Sequence, residues 1–583
     1  MIFLYRMRRN SIVLEGERAT ALDLARGRLV LFRALCLLMA IVFCARVFDL
    51  SIIQGRRIFG DNGVVVSSVE RVDPESPQAK NTNGKRGDIV DRNGALLATT
   101  LRTSSLFADP YLISDPQGTA KGLVKIFPDL SYGEVLQKLQ SEKRFVWLKR
   151  NLSPAQQYAV LGLGEPGLEF EAEYQRFYPQ GTLAVHLIGY GDLDGHGLSG
   201  IERGFDKILS EGKPLRLSLD IRFQHALRRE VARAMEDFTA IGGAGVVMDV
   251  RSGEILAGVS LPDFNPHQAG TATDDVRFSR LTLGAYEMGS VFKIFSTAAF
   301  FETREADMNT TFDASVPLRV GRFVINDYHA QDRILTIPEV FMYSSNIGSA
   351  LMGQAVGAKN LKGFYTDLGL LTPLDFEVRE VAAPMVPDPW REVSTLTASY
   401  GHGVATTPLQ VVTAVSSIIN GGYLVKPRLV LDEEAQSKVS APQAVRVVSP
   451  QTAEKMRELF RLVVTDGTGS NADVKGYRVG GKTGTADKST NGRYDGDKKI
   501  SSFVGVFPMD DPRYAIFIMV DEPKGTKKTY GYATGGWVAA PAVARYIASM
   551  VSILGLPPAP ETAVENHFGE DLKQYVSAKK GAH

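Results

Sequence analysis

Residues 286–301 read Tyr-Glu-Met-Gly-Ser-Val-Phe-Lys-Ile-Phe-Ser-Thr-Ala-Ala-Phe-Phe. From Val291 to Phe301 the run is apolar on nearly every side of a 3.6-residue wheel, which predicts a helix inside a core rather than on a surface. Working outward, residues 244–250 and 255–260 read as two strands joined by Arg251-Ser252-Gly253-Glu254, a β-hairpin. Just before them the pattern predicts a helix over 221–238. A second hairpin is predicted far downstream, with strands 501–507 and 514–520 around Met509-Asp510-Asp511-Pro512. The sequence between the hairpins is mostly helical. Strands at both ends of a domain with helices between them predict an α+β fold, an antiparallel sheet flanked by helices.

The chain has 583 residues, enough for three or four units or for one large domain with attachments. Its 66 Lys and Arg against 65 Asp and Glu leave a formal net charge of +1, so no global field exists to hold a polyanion, and nucleic acid is not an expected partner. The only cysteines, Cys36 and Cys44, fall within the one strongly apolar segment. The rest of the chain therefore has neither disulfides nor thiolate-held metal, a composition that permits export.

That segment, residues 29–53, supplies 25 residues. With Arg33 and Arg46 snorkelling toward headgroups, it is about 37 Å of helix, enough to span a bilayer core of about 30 Å. Arg6, Arg8, Arg9, Arg18, Arg26 and Arg28 precede it, whereas only Arg56 and Arg57 follow closely. The positive-inside rule then places the body outside the cytoplasm. No small-x-small site closes the apolar run, so an uncleaved anchor is expected rather than a signal peptide. The expected order is a cytoplasmic terminus (1–28), a transmembrane anchor (29–53), a loop-rich pedestal (54–214), the α+β domain (215–556) and a loosely held polar tail (557–583).

Ser290 and Lys293, at i and i+3, project from one face if the buried helix starts at Gly289, and so could touch. A serine becomes a nucleophile beside a base, and a lysine serves once burial or a second cation lowers its pKa by about three units. The pattern alone is cheap, since Ser210 to Lys213 and Ser577 to Lys580 match it as well. Ser344-Ser345-Asn346 follows 54 residues after Ser290, and Lys482-Thr483-Gly484-Thr485 begins 192 residues after it. Such an ordered triple is specific. A rival reading uses the same lysine: Gly476 through Thr483 fits the phosphate-binding pattern G-x-x-x-x-G-K-[ST]. A real phosphate loop passes directly into a helix, whereas residues 486–499 read as a loop before a strand, so that reading is set aside.

These motifs resemble those of class B penicillin-binding proteins, and the resemblance runs through the pedestal. Arg86 to Gly94, Arg176 to Tyr190, and Gly200-Ile201-Glu202 with Phe205-Asp206 are similar to the family's three non-catalytic motifs. They are read as structural, with their charges tying pedestal to catalytic domain. Residues 383–392, 399–404 and 407–410 resemble the division enzyme more than the elongation one. His402 stands where the family form has an apolar residue or Tyr, and no role is assigned to it.

The resemblance implies a serine D,D-transpeptidase acting on stem peptides that end in D-Ala-D-Ala, and a target of β-lactam antibiotics. Ser290 would be acylated while Lys293 takes its proton. Ser344 would relay a proton to the leaving amine, and Asn346 would orient Lys293. Lys482 would keep the site positive, Thr483 and Thr485 would bind the terminal carboxylate, and Gly484 would let substrate approach the strand. The backbone N–H groups of Ser290 and Thr485 would form the oxyanion hole. An amine of a neighbouring stem would resolve the acyl-enzyme. No cofactor, metal or nucleotide is required. A separate lipid-II polymerase in the membrane and other divisome proteins are the expected partners, because no glycosyltransferase domain is visible. A β-lactamase or D,D-carboxypeptidase would use the same motifs with water as acceptor. The reading requires Ser290, Lys293 and Lys482 to converge on one groove.

Overall fold

The computed structural model describes residues 85–321, 323–431, 445–490 and 493–558, together with 39, 572 and 574–576. The predicted anchor, apart from Met39, and the start of the pedestal lie outside these residues. Among the described residues no helix is long and apolar enough to cross a membrane.

The pedestal is built on β1 (Ile89–Val90), β2 (Leu96–Ala108), β3 (Val146–Leu152), β4 (Leu168–Phe177) and β5 (Leu215–Arg216). The long strand β2 is the spine, antiparallel to β1, β3 and β4. Its alternating residues suit a half-buried strand: Leu106 and Ala108 point into a small core with Leu123, Phe127, Val135 and Leu139. The Asn93-Gly94 signal is the β1–β2 turn, with Gly94 at φ +87° and the Asp91 carboxylate accepting from the backbone N–H of Asn93 and Ala95, both at 2.8 Å.

The motif charges tie the pedestal to the catalytic domain, as expected, and also bind the motifs to one another. Arg86 Nε and Arg176 Nε both donate to Glu202, each at 2.7 Å, and Arg86 Nη1 donates to Asp206 at 2.7 Å. Residues from all three motifs thus meet in an ionic knot, buried at Arg86, Arg176 and Glu202, that binds the motifs to one another. The tie to the catalytic domain comes from the other end of the first motif: Asp91 accepts from the Ile221 N–H at 3.1 Å, Asn93 donates to Asp220 at 3.0 Å, and Arg92 pairs with Glu254 at 3.3 Å. Strand β5 also pairs parallel with β1, so the chain just past residue 214 is held in the pedestal sheet.

The catalytic sheet comprises β6 (Gly242–Asp249), β7 (Ile255–Leu261), β8 (Gly480–Thr490), β9 (Arg493–Phe507) and β10 (Tyr514–Asp521). Their spatial order is β8-β9-β10-β6-β7, antiparallel throughout, so the two predicted hairpins lie side by side through β10 and β6. The principal helices are α1 (Ile221–Asp237), α2 (Lys293–Thr303), α3 (Asn346–Val356), α4 (Pro408–Ile419), α5 (Pro450–Thr465) and α6 (Ala539–Leu554). Strand β10 shows why the sheet is apolar along its length. Ile516, Ile518 and Val520 face a core shared with α1 and α6, whereas Ala515, Phe517 and Met519 face the core containing α2, α4 and α5. A sheet covered on both faces loses hydrophobic alternation.

The predicted buried helix is present, preceded by a 3-10 turn over Gly289–Phe292, and every residue from Lys293 to Phe301 is buried. One expectation is corrected. Residues 486–490 and 493–499 are strand rather than loop: β8 continues through Thr490 and pairs with β9, Asp487 opposite Lys499. Backbone pairing carries this polar extension, so no apolar periodicity announces it. Lys482 therefore sits within a strand rather than at a helix N-terminus, and the phosphate-loop geometry is missing. Of the expected tail, the described Leu572 is buried and Thr336 donates to the Tyr575 carbonyl at 2.8 Å.

Candidate active site

Ser290 stands on the 3-10 turn that leads into α2, pressed against β8 by two glycines. Gly289 has φ +52°, and a Cβ there would lie 2.3 Å from the Thr485 carbonyl oxygen. A Cβ on Gly484 would fall 2.3 Å from Ser502 Oγ and 2.8 Å from the Met288 carbonyl oxygen. Gly484 thus lets the strand close on the turn that carries the serine.

Beneath this junction lie two buried amines, Lys293 at 1% exposure and Lys482 at 0%. Lys293 Nζ donates to the Ser344 carbonyl, to Ser344 Oγ at 3.0 Å and to Asn346 Oδ1 at 2.7 Å. Lys482 Nζ, arriving from β8, donates to the same Ser344 Oγ at 2.9 Å. The predicted triple converges. One expected contact is replaced: no hydrogen bond joins Ser290 Oγ to Lys293, because the amine's three donors are all directed at the Ser344–Asn346 turn.

That turn is strained into position. Ser344 has φ +61°, a left-handed conformation that costs a non-glycine residue about 1 kcal/mol, and it aims both carbonyl and hydroxyl at the amines. The next residue anchors it. Ser345 caps α3 by accepting from the Gly348 N–H at 3.0 Å, and its hydroxyl donates to Asp327 at 2.6 Å. Asp327 also accepts from the Ile347 N–H at 2.9 Å, and Asn346 Nδ2 donates to the Asn326 carbonyl at 2.9 Å, fixing the amide with its oxygen toward Lys293. Neither Asn326 nor Asp327 belongs to a sequence motif, and only their place in the fold reveals them.

Burial dominates the electrostatics. Desolvation pushes the Lys293 ammonium down to about 7, against the opposing charge of Asp327. Burial, aided by the charge of Lys293, holds Lys482 well below the usual lysine range. Two amines that share one hydroxyl cannot both carry a proton comfortably, so the pair is suited to giving and taking one.

Above the amines opens a cleft of about 450 Å³ lined by Ser290, Ser344, Asn346, Thr483 and Thr485. At one end the Thr483 hydroxyl meets that of Thr468 at 2.8 Å, and Thr485 Oγ1 accepts from the Gly535 N–H at 3.0 Å. Trp537, Tyr328 and His402 also line the cleft, none of them assigned by the sequence. A hydroxyl over two proton-labile amines, in a groove edged by hydroxyls, is equipped for acyl transfer through a covalent serine ester.

Comparison with known proteins gives the family. Residues 243–548 match the penicillin-binding protein transpeptidase domain, and residues 81–213 match the penicillin-binding protein dimerisation domain. The chain belongs to the class B penicillin-binding proteins. It is 39% identical to the probable peptidoglycan D,D-transpeptidase FtsI of Caulobacter vibrioides, over 82% of this chain and 83% of that one. It is 31% identical to the probable peptidoglycan D,D-transpeptidase PenA of Neisseria meningitidis, over 81% and 85%. Among solved structures, penicillin-binding protein 3 of Mycobacterium tuberculosis, complexed with ampicillin, superposes with a TM-score of 0.66 at 26% identity, over 82% of this chain and 97% of that one. Both halves of this penicillin-binding protein, pedestal and catalytic domain, carry the family.

Proposed function

We propose that this protein is a peptidoglycan D,D-transpeptidase that cross-links stem peptides through an acyl-enzyme on Ser290, working in septal wall synthesis. The observation that carries the reading is Ser344 Oγ standing 3.0 Å from Lys293 Nζ and 2.9 Å from Lys482 Nζ, under the cleft that Ser290 lines. Ser290 Oγ attacks the carbonyl of the penultimate D-Ala, and Lys293 takes its proton. Ser344, in contact with both amines, passes a proton to the departing D-Ala, while Asn346 holds Lys293. Lys482 supplies positive potential. The hydroxyls of Thr483 and Thr485 receive the terminal carboxylate, and the backbone N–H groups of Ser290 and Thr485 stabilise the oxyanion, each donor contributing about 3 kcal/mol. An amine from a second stem then takes the acyl group.

Residues 29–53 are proposed as the anchor, residues 54–214 as the pedestal that sets the height of the catalytic domain in the periplasm, and residues 215–556 as the catalytic domain. A membrane lipid-II polymerase and other divisome proteins would be its partners. The similarity to FtsI and PenA supports the septal role, and the arginine asymmetry around residues 29–53 supports the orientation. Mass spectrometry after penicillin treatment tests the chemistry. A mass adduct on Ser290 that persists for many minutes is expected. Its rapid loss would make the protein a hydrolase, and its absence would end the proposal.

A further inference from the structure

We propose that His402 is the base that accepts a proton from the incoming acceptor amine in the second half of the reaction, an inference that rests on the transferase reading above. The loop that carries it is clasped to the nucleophile's own segment. The Gly289 N–H donates to the Gly401 carbonyl at 3.2 Å, and the Gly403 N–H donates to Glu287 Oε1 at 2.8 Å. Gly401 and Gly403 have φ +86° and +81°, and a Cβ on Gly401 would lie 2.0 Å from the Gly289 carbonyl oxygen. Two left-handed glycines thus present the single side chain between them to the cleft that Ser290 lines.

The ring packs against Tyr400 at 5.1 Å and Tyr494 at 5.6 Å between centroids, with the Tyr400 backbone as a further polar neighbour. Its Nδ1 is sealed from solvent and without a hydrogen-bond partner. With Nδ1 sealed, a ligand in the cleft that His402 lines can meet the ring only through Nε2. Two histidines away from this cleft meet the backbone through Nε2. His186 Nε2 sits 2.8 Å from the Val276 carbonyl oxygen, and His267 Nε2 accepts from the Tyr178 N–H at 3.3 Å.

The chemistry needs such a group. An acceptor amine has a pKa near that of lysine, about 10.4, and arrives as an ammonium that cannot attack. Lys293 is committed to the proton of Ser290 Oγ and does not line the cleft, whereas His402 does. The charged and titratable groups around the ring are Lys293 and Asp487, with Lys499 lining the same cleft and Glu287, Tyr400 and Tyr494 on the neighbouring elements. Burial and the charge of Lys293 hold the imidazole below its ordinary pKa, hence neutral and able to accept. Nε2 takes one proton from the ammonium, and the freed lone pair forms the C–N bond to the acyl carbon. The C–Oγ bond to Ser290 breaks, the nitrogen's surplus proton passes to Oγ by way of Ser344, and the imidazolium returns its proton to water.

The test uses the full-length enzyme with a thiolester peptide as donor and free D-Ala as acceptor, comparing His402→Gln and His402→Tyr with the unaltered protein. The readout is the ratio of transfer to hydrolysis from the same acyl-enzyme, which does not depend on how much of it forms. Loss of a general base lowers that ratio by about a hundredfold. In the variants transfer should also rise tenfold per pH unit, following the acceptor's own free-amine fraction. An unchanged ratio and pH profile in both variants would overturn the proposal. So would loss of acylation in both, because the ring would then be scaffold. If the unaltered protein forms no acyl-enzyme at all, the transferase reading falls instead.

Discussion

The depressed basicity of Lys293 sets the pH at which Ser290 can be acylated. The amine acts only in its neutral form, so with its pKa pushed down to about 7 by burial, activity is present above that pH and lost as pH falls through it. The free-base fraction rises from about one-tenth at pH 6 to about nine-tenths at pH 8, so the acylation rate constant should increase about tenfold and then level off. A lysine with its ordinary pKa would instead give about a hundredfold rise over the same interval and no plateau by pH 9. Stopped-time labelling with a fluorescent penicillin, under pseudo-first-order conditions from pH 5.5 to 9, separates the two. The Asn346→Asp variant sharpens the measurement. It places a carboxylate where Oδ1 now stands 2.7 Å from Nζ, which favours the ammonium. The inflection should move up by about one to three pH units, and acylation at pH 7 should fall at least about fivefold. A logarithmic slope of one continuing to pH 9 in the unaltered protein, or an inflection that Asn346→Asp leaves in place, would refute the assignment.

Removing Glu202 leaves the Arg86 and Arg176 guanidiniums buried without their shared counter-charge, so Glu202→Ala should lower stability by about 3–5 kcal/mol in urea unfolding. Ser345→Ala removes the cap of α3 and the bond to Asp327; a loss of about 1 kcal/mol should lower Tm by about 2 °C. Acylation should fall further than that small loss explains, because the Ser344–Asn346 turn is released. Gly289→Ala forces a Cβ to within 2.3 Å of the Thr485 carbonyl oxygen in a left-handed backbone, and penicillin labelling should be abolished even in protein that remains folded by circular dichroism.

Where hydrophobic pattern carries the information, sequence and structure agree. The strands that flank Arg251 and Asp510 are continuous apolar runs because the sheet is covered on both faces, and α2 is apolar all round because helices and sheet surround it. The ordered spacing of Ser290, Ser344 and Lys482 likewise sufficed to place three distant segments in one site. What escaped was whatever depends on a side chain's partner rather than its type. Arg86, Arg176, Glu202 and Asp206 were legible as charges but not as one knot, since nothing local distinguishes a guanidinium that meets another motif from one that meets another domain. The polar extension of β8 and β9 escaped because backbone pairing leaves no periodic trace.

Ser344 shows the same limit inside the site. A serine before a helix reads as a cap, yet the cap is Ser345, and Ser344 is held at φ +61° with its carbonyl and hydroxyl turned onto Lys293. Such strain persists only where surrounding contacts over-determine it. Here the Asp327 carboxylate pins the residues on the helix side, and the amines of Lys293 and Lys482 hold the hydroxyl from below. The turn therefore depends on the amines as much as they depend on it. Removing either lysine should release Ser344 as well as a charge, so the Lys293 and Lys482 deletions should be far from additive in acylation rate.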